Sequence, residues 1–233
     1  GGGKTFLFTG IIGREPGCSC AVAHRRELVG QMALALNARG VPHFAIAPRS
    51  VVKMIIVQQM LEHGVSHYDP SARCAVASVD TMISRRDQLA AWCQKASLWV
   101  MDEGHHVIRG NKWGKACAMF PHARGLLVTA TPERADGKGL GRHADGLVDH
   151  MVVGPTGRDL IEQGYLSDYL VLGPPASIDT DGVDVSNATG DFNRDQLTAR
   201  AKQAQTKITG DVVGHYLAHA AGKLGVTFVT DVD

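Results

Sequence analysis

The chain begins with residues suited to binding phosphate. Gly1, Gly2 and Gly3 precede Lys4 and Thr5, and a glycine-rich turn of this kind lets backbone N–H groups and a lysine surround the phosphates of a nucleotide. The threonine hydroxyl of such a loop helps to hold Mg²⁺. A glycine-rich terminus left by cloning is the alternative, but acidic residues further along the chain favour the phosphate loop.

A pair of acidic residues supplies the second half of this chemistry. Asp102 and Glu103 follow the apolar run 98–101 and precede Gly104 and His105. In enzymes that hydrolyse nucleoside triphosphates, such a pair provides a magnesium ligand and a carboxylate that orients or deprotonates the attacking water. Surface acids at a strand end are the alternative, although Asp-Glu-Gly-His-His is an unusual surface sequence. Together the two motifs predict hydrolysis of ATP with Mg²⁺.

The elements that must position these motifs alternate between strand and helix, which predicts an α/β protein with a parallel sheet and crossover helices. The expected strands are residues 18–23, 44–47, 75–79, 98–101 and 125–128. The expected helices are residues 27–38, 51–62 and a helix that ends at 89–93. Because open α/β sheets bind ligands at the carboxyl ends of their strands, we expect the motifs to meet at one sheet edge.

The second half of the chain differs from the first in the spacing of its apolar runs. Its sequence predicts a connector and the beginning of a second domain. Strands are expected at 147–153 and 169–172, a short helix at 158–163, helices at 194–207 and 211–221, and a last strand from 226. We place a first domain at residues 1–150, a connector at 151–207 and the start of a truncated second domain at 208–233. The abrupt ends and the missing initiator Met predict a fragment of a longer protein, without the first strand of its first domain.

Composition narrows the class of protein. The net charge is +1, so a nucleic-acid partner requires a local basic groove rather than a basic surface. No stretch approaches the roughly 18–20 apolar residues of a membrane span. Five cysteines without metal-type spacing predict reduced thiols, mostly buried, in a cytoplasmic protein.

The order of the motifs resembles that of the nucleic-acid-dependent ATPases of helicase superfamily 2, over most of the chain. The matching segments are 1–5 (motif I), 23–28 with Gln31 (Ia), 77–82 (Ib), 102–105 (the DExH box), 129–132 (III) and 222–229 (IV). The segment 134–140 resembles the extension after motif III in phage and bacterial DExH proteins. The resemblance implies a RecA-like P-loop parallel sheet flanked by helices, followed by the start of a second RecA-like domain.

The resemblance also implies roles at the nucleotide. The residues expected to bind ATP are Gly1, Gly2, Gly3, Lys4 and Thr5. Lys4 would stabilise the β- and γ-phosphates, while Thr5 and Asp102 would hold Mg²⁺, Asp102 through water. Glu103 would be the catalytic base, so that Lys4 and Glu103 are the expected catalytic residues.

Further matching residues are expected to link nucleotide and nucleic acid. Those that would couple the nucleotide state to domain closure are His105, Thr129 and Thr131. Those that would contact nucleic acid are Arg25, Ser78, Thr81 and Arg85. In this family the corresponding face holds a single strand by its backbone, largely independent of sequence. A solvated helix N-terminus is the alternative for Arg25, and Thr81 and Arg85 carry the same ambiguity.

These features predict an ATP-driven helicase or translocase of the DExH branch, in a bacterial or phage-infected cell. The phage-like segment 134–140 favours DNA over RNA. One alternative is the motor subunit of a restriction or repair nuclease, and another is an ATP-switched clamp or scaffold on nucleic acid. Because the arginines of a second domain lie outside this chain, we expect the fragment alone to be nearly inactive.

Overall fold

The computed structural model describes residues 3–134, 137–172, 181–185 and 192–226, without the side chains of 204–211. The chain divides into two compact units, Gly1–Leu166 and Ser167–Asp233. The boundary between these units lies inside the expected connector, and the division into a first domain, a connector and a second domain stays a prediction.

A parallel sheet of five strands forms the centre of the first unit. Its strands are β1 (Cys18–Ala23), β2 (His43–Ile46), β3 (Cys74–Ser78), β4 (Ala96–Asp102) and β5 (Arg124–Val128). They lie in the order β2-β3-β1-β4-β5, so β1 is central and pairs in parallel with β3 and β4. The five strands expected between residues 18 and 128 are therefore confirmed, with shifts of one or two residues at their ends.

Helices cover both faces of this sheet. In chain order they are α1 (Lys4–Arg14), α2 (Arg26–Asn37), α3 (Arg49–His63), α4 (Val79–Ser84), α5 (Arg86–Cys93) and α6 (Lys112–Cys117). A short helix, α7 (Gly157–Glu162), follows and has no buried residue. Residues of α1, α2 and α3 pack in one core cluster, and residues of α4, α5 and α6 pack in the other. Helices on both faces are the usual cover of an all-parallel sheet, whose strands are buried on both sides.

Alternation along β1 shows how one strand serves both clusters. Ala21 and Ala23 pack in the cluster with α1, whereas Cys20 and Val22 pack in the cluster with α4. Successive residues of a strand point to opposite faces, which produces this division. Cys18 and Cys20 share a face, and all five cysteines are free thiols, of which only Cys18 is partly exposed.

Two expected strands of the second half are wrong. Residues 147–153 and 169–172 form no strand, apart from an isolated bridge of Val148 with Gly141. The apolar run at the end of the first of these is exposed, with Val152 94% and Val153 80% accessible. β-Branched residues favour an extended backbone, but a strand also requires a neighbouring strand that completes its hydrogen bonds.

The second unit contains one long helix where two were expected. Helix α8 (Arg194–His219) runs through Gly210 without a break. It begins at Asn193, whose side-chain oxygen accepts hydrogen bonds from the backbone N–H groups of Asp195 and Gln196. The strand expected from residue 226, and with it most of motif IV, lies outside the described residues. In the described part of the chain, no helix has the length and apolar character needed to cross a membrane.

Candidate active site

The phosphate loop leads directly into helix α1. Gly3 has a φ of 72° and immediately precedes Lys4, the first residue of the helix. Only glycine adopts this left-handed conformation without a steric cost. The backbone N–H groups of a helix's first turn have no partner within the helix, so the start of α1 is suited to binding an anion. Gly1 and Gly2 lie outside the described residues.

The first contact between distant motifs joins this helix to the acidic pair. Lys4 Nζ lies 3.6 Å from Glu103 Oε1, and each side chain is 30% exposed. The ammonium group thus lies beside the carboxylate that the sequence singled out as a base. An incoming phosphate would compete for the lysine, and the carboxylate would then be available to accept a proton from water.

Asp102 ends strand β4 and is partly buried. Burial raises the pKa of Asp102; the hydrogen bond that its Oδ1 accepts from the Glu103 N–H at 3.0 Å opposes this shift, as does the charge of Lys4. The nearby charge of Glu103 adds to the increase in pKa. A carboxylate whose ionised form is disfavoured in this way gains strongly from a nearby cation.

Thr5 and Asp102 have the oxygen chemistry that Mg²⁺ prefers. This ion usually keeps several waters and takes one or two protein oxygens together with substrate phosphates. Among the described residues, no group of three or more His, Cys, Asp or Glu side chains could hold a metal ion. The hydroxyl and the carboxylate fit a magnesium ion that arrives with the phosphates of a nucleotide.

Glu103 has an unusual backbone. Its φ of 52° and ψ of 51° are left-handed, a conformation that costs a residue with a side chain roughly 1–2 kcal/mol. The next residue, Gly104, packs closely on β5, because a Cβ added there would lie 2.8 Å from the Cβ of Leu127. Strand β4 thus ends in a sharp turn that presents the Glu103 carboxylate toward Lys4.

His105 joins the acidic pair to the segment that follows β5. Its Nδ1 lies 2.8 Å from Thr129 Oγ1, 3.3 Å from Thr131 Oγ1 and 3.4 Å from Glu103 Oε2. The Thr129 hydroxyl donates to the Thr131 carbonyl at 3.0 Å. The imidazole therefore contacts both the carboxylate and the Thr-Ala-Thr segment.

The four residues expected at nucleic acid fall into two groups. Ser78 and Thr81 are buried, and the Ser78 hydroxyl donates to Thr81 Oγ1 at 2.7 Å while it accepts from the Thr81 N–H at 3.2 Å. This pair caps the start of α4. Arg25 is exposed between β1 and α2, and Arg85 is partly exposed between α4 and α5. Contact with nucleic acid stays a prediction for all four.

A cluster of rings beside the acidic pair escaped the sequence analysis. His106 stacks on Trp113 with 5.3 Å between ring centroids, and His24 meets the edge of His106 at 5.5 Å. Burial lowers the pKa of His24, and the neighbouring charges of His106 and Arg25 lower it further. The second histidine of Asp-Glu-Gly-His-His is a sequence feature that could have drawn attention to His106. Nothing in the sequence around Trp113 indicates that it joins this cluster, because its position depends on the short helix α6.

Comparison with known proteins agrees with this geometry. Residues 1–134, more than half of the chain, match the family described as type III restriction enzyme, res subunit. The 51.5 kDa protein of Lactococcus phage (isolate 7-9) is 29% identical over 140 residues, which make up 60% of this chain and 28% of the phage protein. The chain therefore matches less than a third of that relative's length.

The family match includes the phosphate loop, the acidic pair and the Thr-Ala-Thr segment. It confirms the resemblance to superfamily 2 and the RecA-like α/β fold, and it supports an enzyme that hydrolyses ATP. This chain belongs to the family of type III restriction enzyme res subunits, whose domain is a helicase-like ATPase.

Proposed function

We propose that this chain is the ATP-hydrolysing part of a helicase or translocase that acts on DNA. The observation that carries the proposal is the set of contacts from Lys4 to Glu103, from Glu103 to His105 and from His105 to Thr129. These contacts join three distant segments at the carboxyl ends of β4 and β5, where an open α/β sheet binds its ligand.

Each residue of the site has a part in this proposal. Lys4 stabilises the β- and γ-phosphates, and Thr5 and Asp102 hold Mg²⁺. Magnesium bound there would neutralise negative charge on the transferred phosphoryl group. Glu103 orients the attacking water and accepts its proton. His105 holds the carboxylate and passes changes at the nucleotide to the Thr-Ala-Thr segment.

Contact with nucleic acid belongs to the residues at the ends of β1 and α4. Arg25 and Arg85 are the cations that we assign to the phosphates of a strand. The net charge is +1, so binding depends on local cations, and contacts to the phosphates of a strand are largely independent of base sequence. The carboxyl-end position of Arg25 places it on the same side of the sheet as the acidic pair.

A second candidate function is the motor of a restriction nuclease, which moves DNA without separating its strands. The family match favours it, because the description of that family names a subunit of a restriction enzyme. An ATP-switched clamp is the third candidate. The Lys4–Glu103 contact argues against it, since a nucleotide switch can dispense with a base beside its phosphate-binding lysine.

The decisive experiment measures ATP hydrolysis by the intact protein without nucleic acid and with single-stranded DNA, duplex DNA or RNA. We expect DNA to stimulate hydrolysis, and we expect Glu103→Gln to lower kcat by about 100-fold or more, the usual effect of losing a general base. Glu62→Gln, an exposed residue of α3, is the matched control and should leave kcat unchanged.

The other outcomes discriminate among the candidates. Hydrolysis that no polymer stimulates would contradict the helicase and translocase proposals and favour the clamp. Stimulation by duplex DNA with displacement of a triplex-forming strand, but without separation of the duplex, would favour the restriction motor. Stimulation by RNA alone would contradict DNA as the substrate.

A further inference from the structure

We propose that the stacked rings of His106 and Trp113 position His105, and through it Glu103, in response to nucleic acid bound at the ends of β1 and β3. This inference rests on the proposed function. It assigns a positioning role to two residues that touch neither nucleotide nor nucleic acid, and it identifies Lys112 as the exposed cation that acts on them.

The stack has little freedom to move independently of the active site. Trp113 is 3% exposed, and the rings of His106 and Trp113 lie at 29° to each other. On its other side His106 lies beside His105, with 4.1 Å between the ring centroids. Any displacement of the Trp113 ring therefore reaches the imidazole that contacts Glu103 and Thr129.

One connection enters the stack from the end of β1. His24 lies in the edge-on position against His106, at 5.5 Å and 73°, and it also contacts Trp113 at 6.5 Å. The next residue, Arg25, is exposed and is the cation assigned to a strand phosphate. Movement of the backbone when Arg25 binds a phosphate is therefore transmitted to His106 by direct ring contact.

A second connection enters from the start of α4. Asp80 Oδ1 forms an ion pair with Lys112 Nζ at 2.8 Å, and the same ammonium group lies 4.7 Å from the centroid of the Trp113 ring. Asp80 is adjacent to Thr81, whose hydroxyl is paired with Ser78. Lys112 thus contacts both Asp80, at the start of the helix expected to lie near nucleic acid, and the Trp113 ring of the stack.

Asn111 ties the two ends of the stack together. Its side-chain oxygen accepts a hydrogen bond from the Gly114 N–H at 3.0 Å and caps helix α6, on which Trp113 lies. Its amide nitrogen donates to the His106 carbonyl at 2.8 Å. Helix α6 and the histidine turn are therefore joined, so they shift as one piece.

The polar character of the rings distinguishes this cluster from ordinary core. His24 Nδ1 and Trp113 Nε1 are buried, with no hydrogen-bond partner in the described part of the chain. Phenylalanine would fill similar space without an unpaired buried polar atom, which is a destabilising feature. The coupling that we propose depends on the ring contacts rather than on these nitrogen atoms, so a flat ring without the polar atom should preserve it.

The test uses the intact protein at saturating DNA and compares Trp113→Leu with Trp113→Phe. We expect Trp113→Leu to lower kcat by about tenfold, the usual size of coupling between sites, with KM for ATP and Kd for DNA changed by less than about twofold. Trp113→Phe retains a flat ring and should recover most of the lost kcat. A merely structural role would instead change all three constants with the melting temperature.

A second pair of variants, at two lysines of helix α6, tests the proposal if the Trp113 variants fail to fold. Lys112→Met removes the ion pair and the cation over the ring, whereas Lys115→Met removes an exposed lysine of the same helix. We expect kcat at saturating DNA to fall about threefold to fivefold in the first variant and to stay unchanged in the second. Equal kcat in both variants would overturn the proposal.

The two proposals fail in different ways. If DNA does not stimulate the wild-type protein, the proposed function fails regardless of these variants. If DNA stimulates the wild type while Trp113→Leu folds and keeps its kcat, only the coupling through the stack is overturned.

Discussion

Glu103 is held in a conformation that its side chain disfavours. In the described residues, Asp145 is the one other non-glycine residue with a positive φ. Asparagine, aspartate and glycine enter the left-handed region more readily than glutamate. The chain keeps glutamate at this position although a smaller residue would fit the backbone better, and backbone strain of this kind gathers at functional sites.

We expect protonation of His24 at low pH to lower the stability of the folded protein. Burial, followed by the charges of His106 and Arg25, lowers the pKa of His24 from its ordinary value of 6.5, against the opposing effect of Glu103 and Asp102. The unfolded chain thus binds a proton more readily than the folded chain. Stability is therefore fully retained above pH 6.5 and falls as the pH decreases through the lowered pKa of the folded state.

His24→Gln should remove this component. Denaturant unfolding between about pH 5 and pH 8 should show a shallower loss of stability below pH 6.5 in the variant than in the wild type. His63→Gln, an exposed histidine of α3, is the control and should follow the wild-type curve. Identical pH dependence of His24→Gln and the wild type would contradict the expectation.

Helix α4 shows how a single element can change the interpretation of a motif. The sequence predicted a strand to residue 79 followed by one helix that ends at 89–93, whereas β3 ends at Ser78 and two helices follow, α4 from Val79 and α5 from Arg86. Serine is a favoured residue at the start of a helix because its oxygen accepts a hydrogen bond from the first turn. The Ser78 hydroxyl, which was expected to contact nucleic acid, therefore also stabilises the start of α4.

Ser78→Ala should show whether the hydroxyl acts mainly as the cap of α4 or mainly in contact with nucleic acid. Loss of the cap should cost about 1 kcal/mol, or roughly 2–4 °C in melting temperature for a domain of this size. Ser50→Ala, on an exposed position in the first turn of α3, is the control for loss of a hydroxyl. Unchanged stability together with weaker DNA binding would show that Ser78 acts on nucleic acid instead.

The elements that the sequence predicted well have a common physical basis. The strands 18–23, 98–101 and 125–128 are buried apolar runs, and burial on both faces makes such runs easy to recognise. The run 147–153 is also rich in apolar residues, apart from Asp149 and His150, but it has no strand beside it, and pairing is a property of the fold rather than of the segment. Similarly, the residue types of the active site were visible, whereas the ring stack depends on how α6 packs.

At the scale of the whole molecule, both core clusters belong to the first unit. Their fully buried members run from Phe8 to Val128, so the first unit contains its own hydrophobic core. A unit of this kind folds as one cooperative structure. The stability of the chain should therefore reside in residues 1–166.

Truncation tests this assignment. A chain that ends after Leu166 should unfold cooperatively with a melting temperature within about 2 °C of the longer chain, since 1 kcal/mol corresponds to roughly 2–4 °C at this size. A chain that ends after His122 lacks β5 and is the control that should lose the cooperative transition. A broad, non-cooperative transition in the 1–166 chain would show that the second unit supplies part of the core.

The position of β1 in the sheet determines when this protein can fold during its synthesis. β1 leaves the ribosome before β3 and β4, yet these two strands are its neighbours, and its residue Ser19 pairs with Cys74 and Leu98. Contacts between segments so far apart in the chain form slowly, and unpaired strand edges invite aggregation until they form. The nascent chain therefore holds β1 without both neighbours until β4 has been synthesised, and the turn that carries Glu103 can form only after that strand.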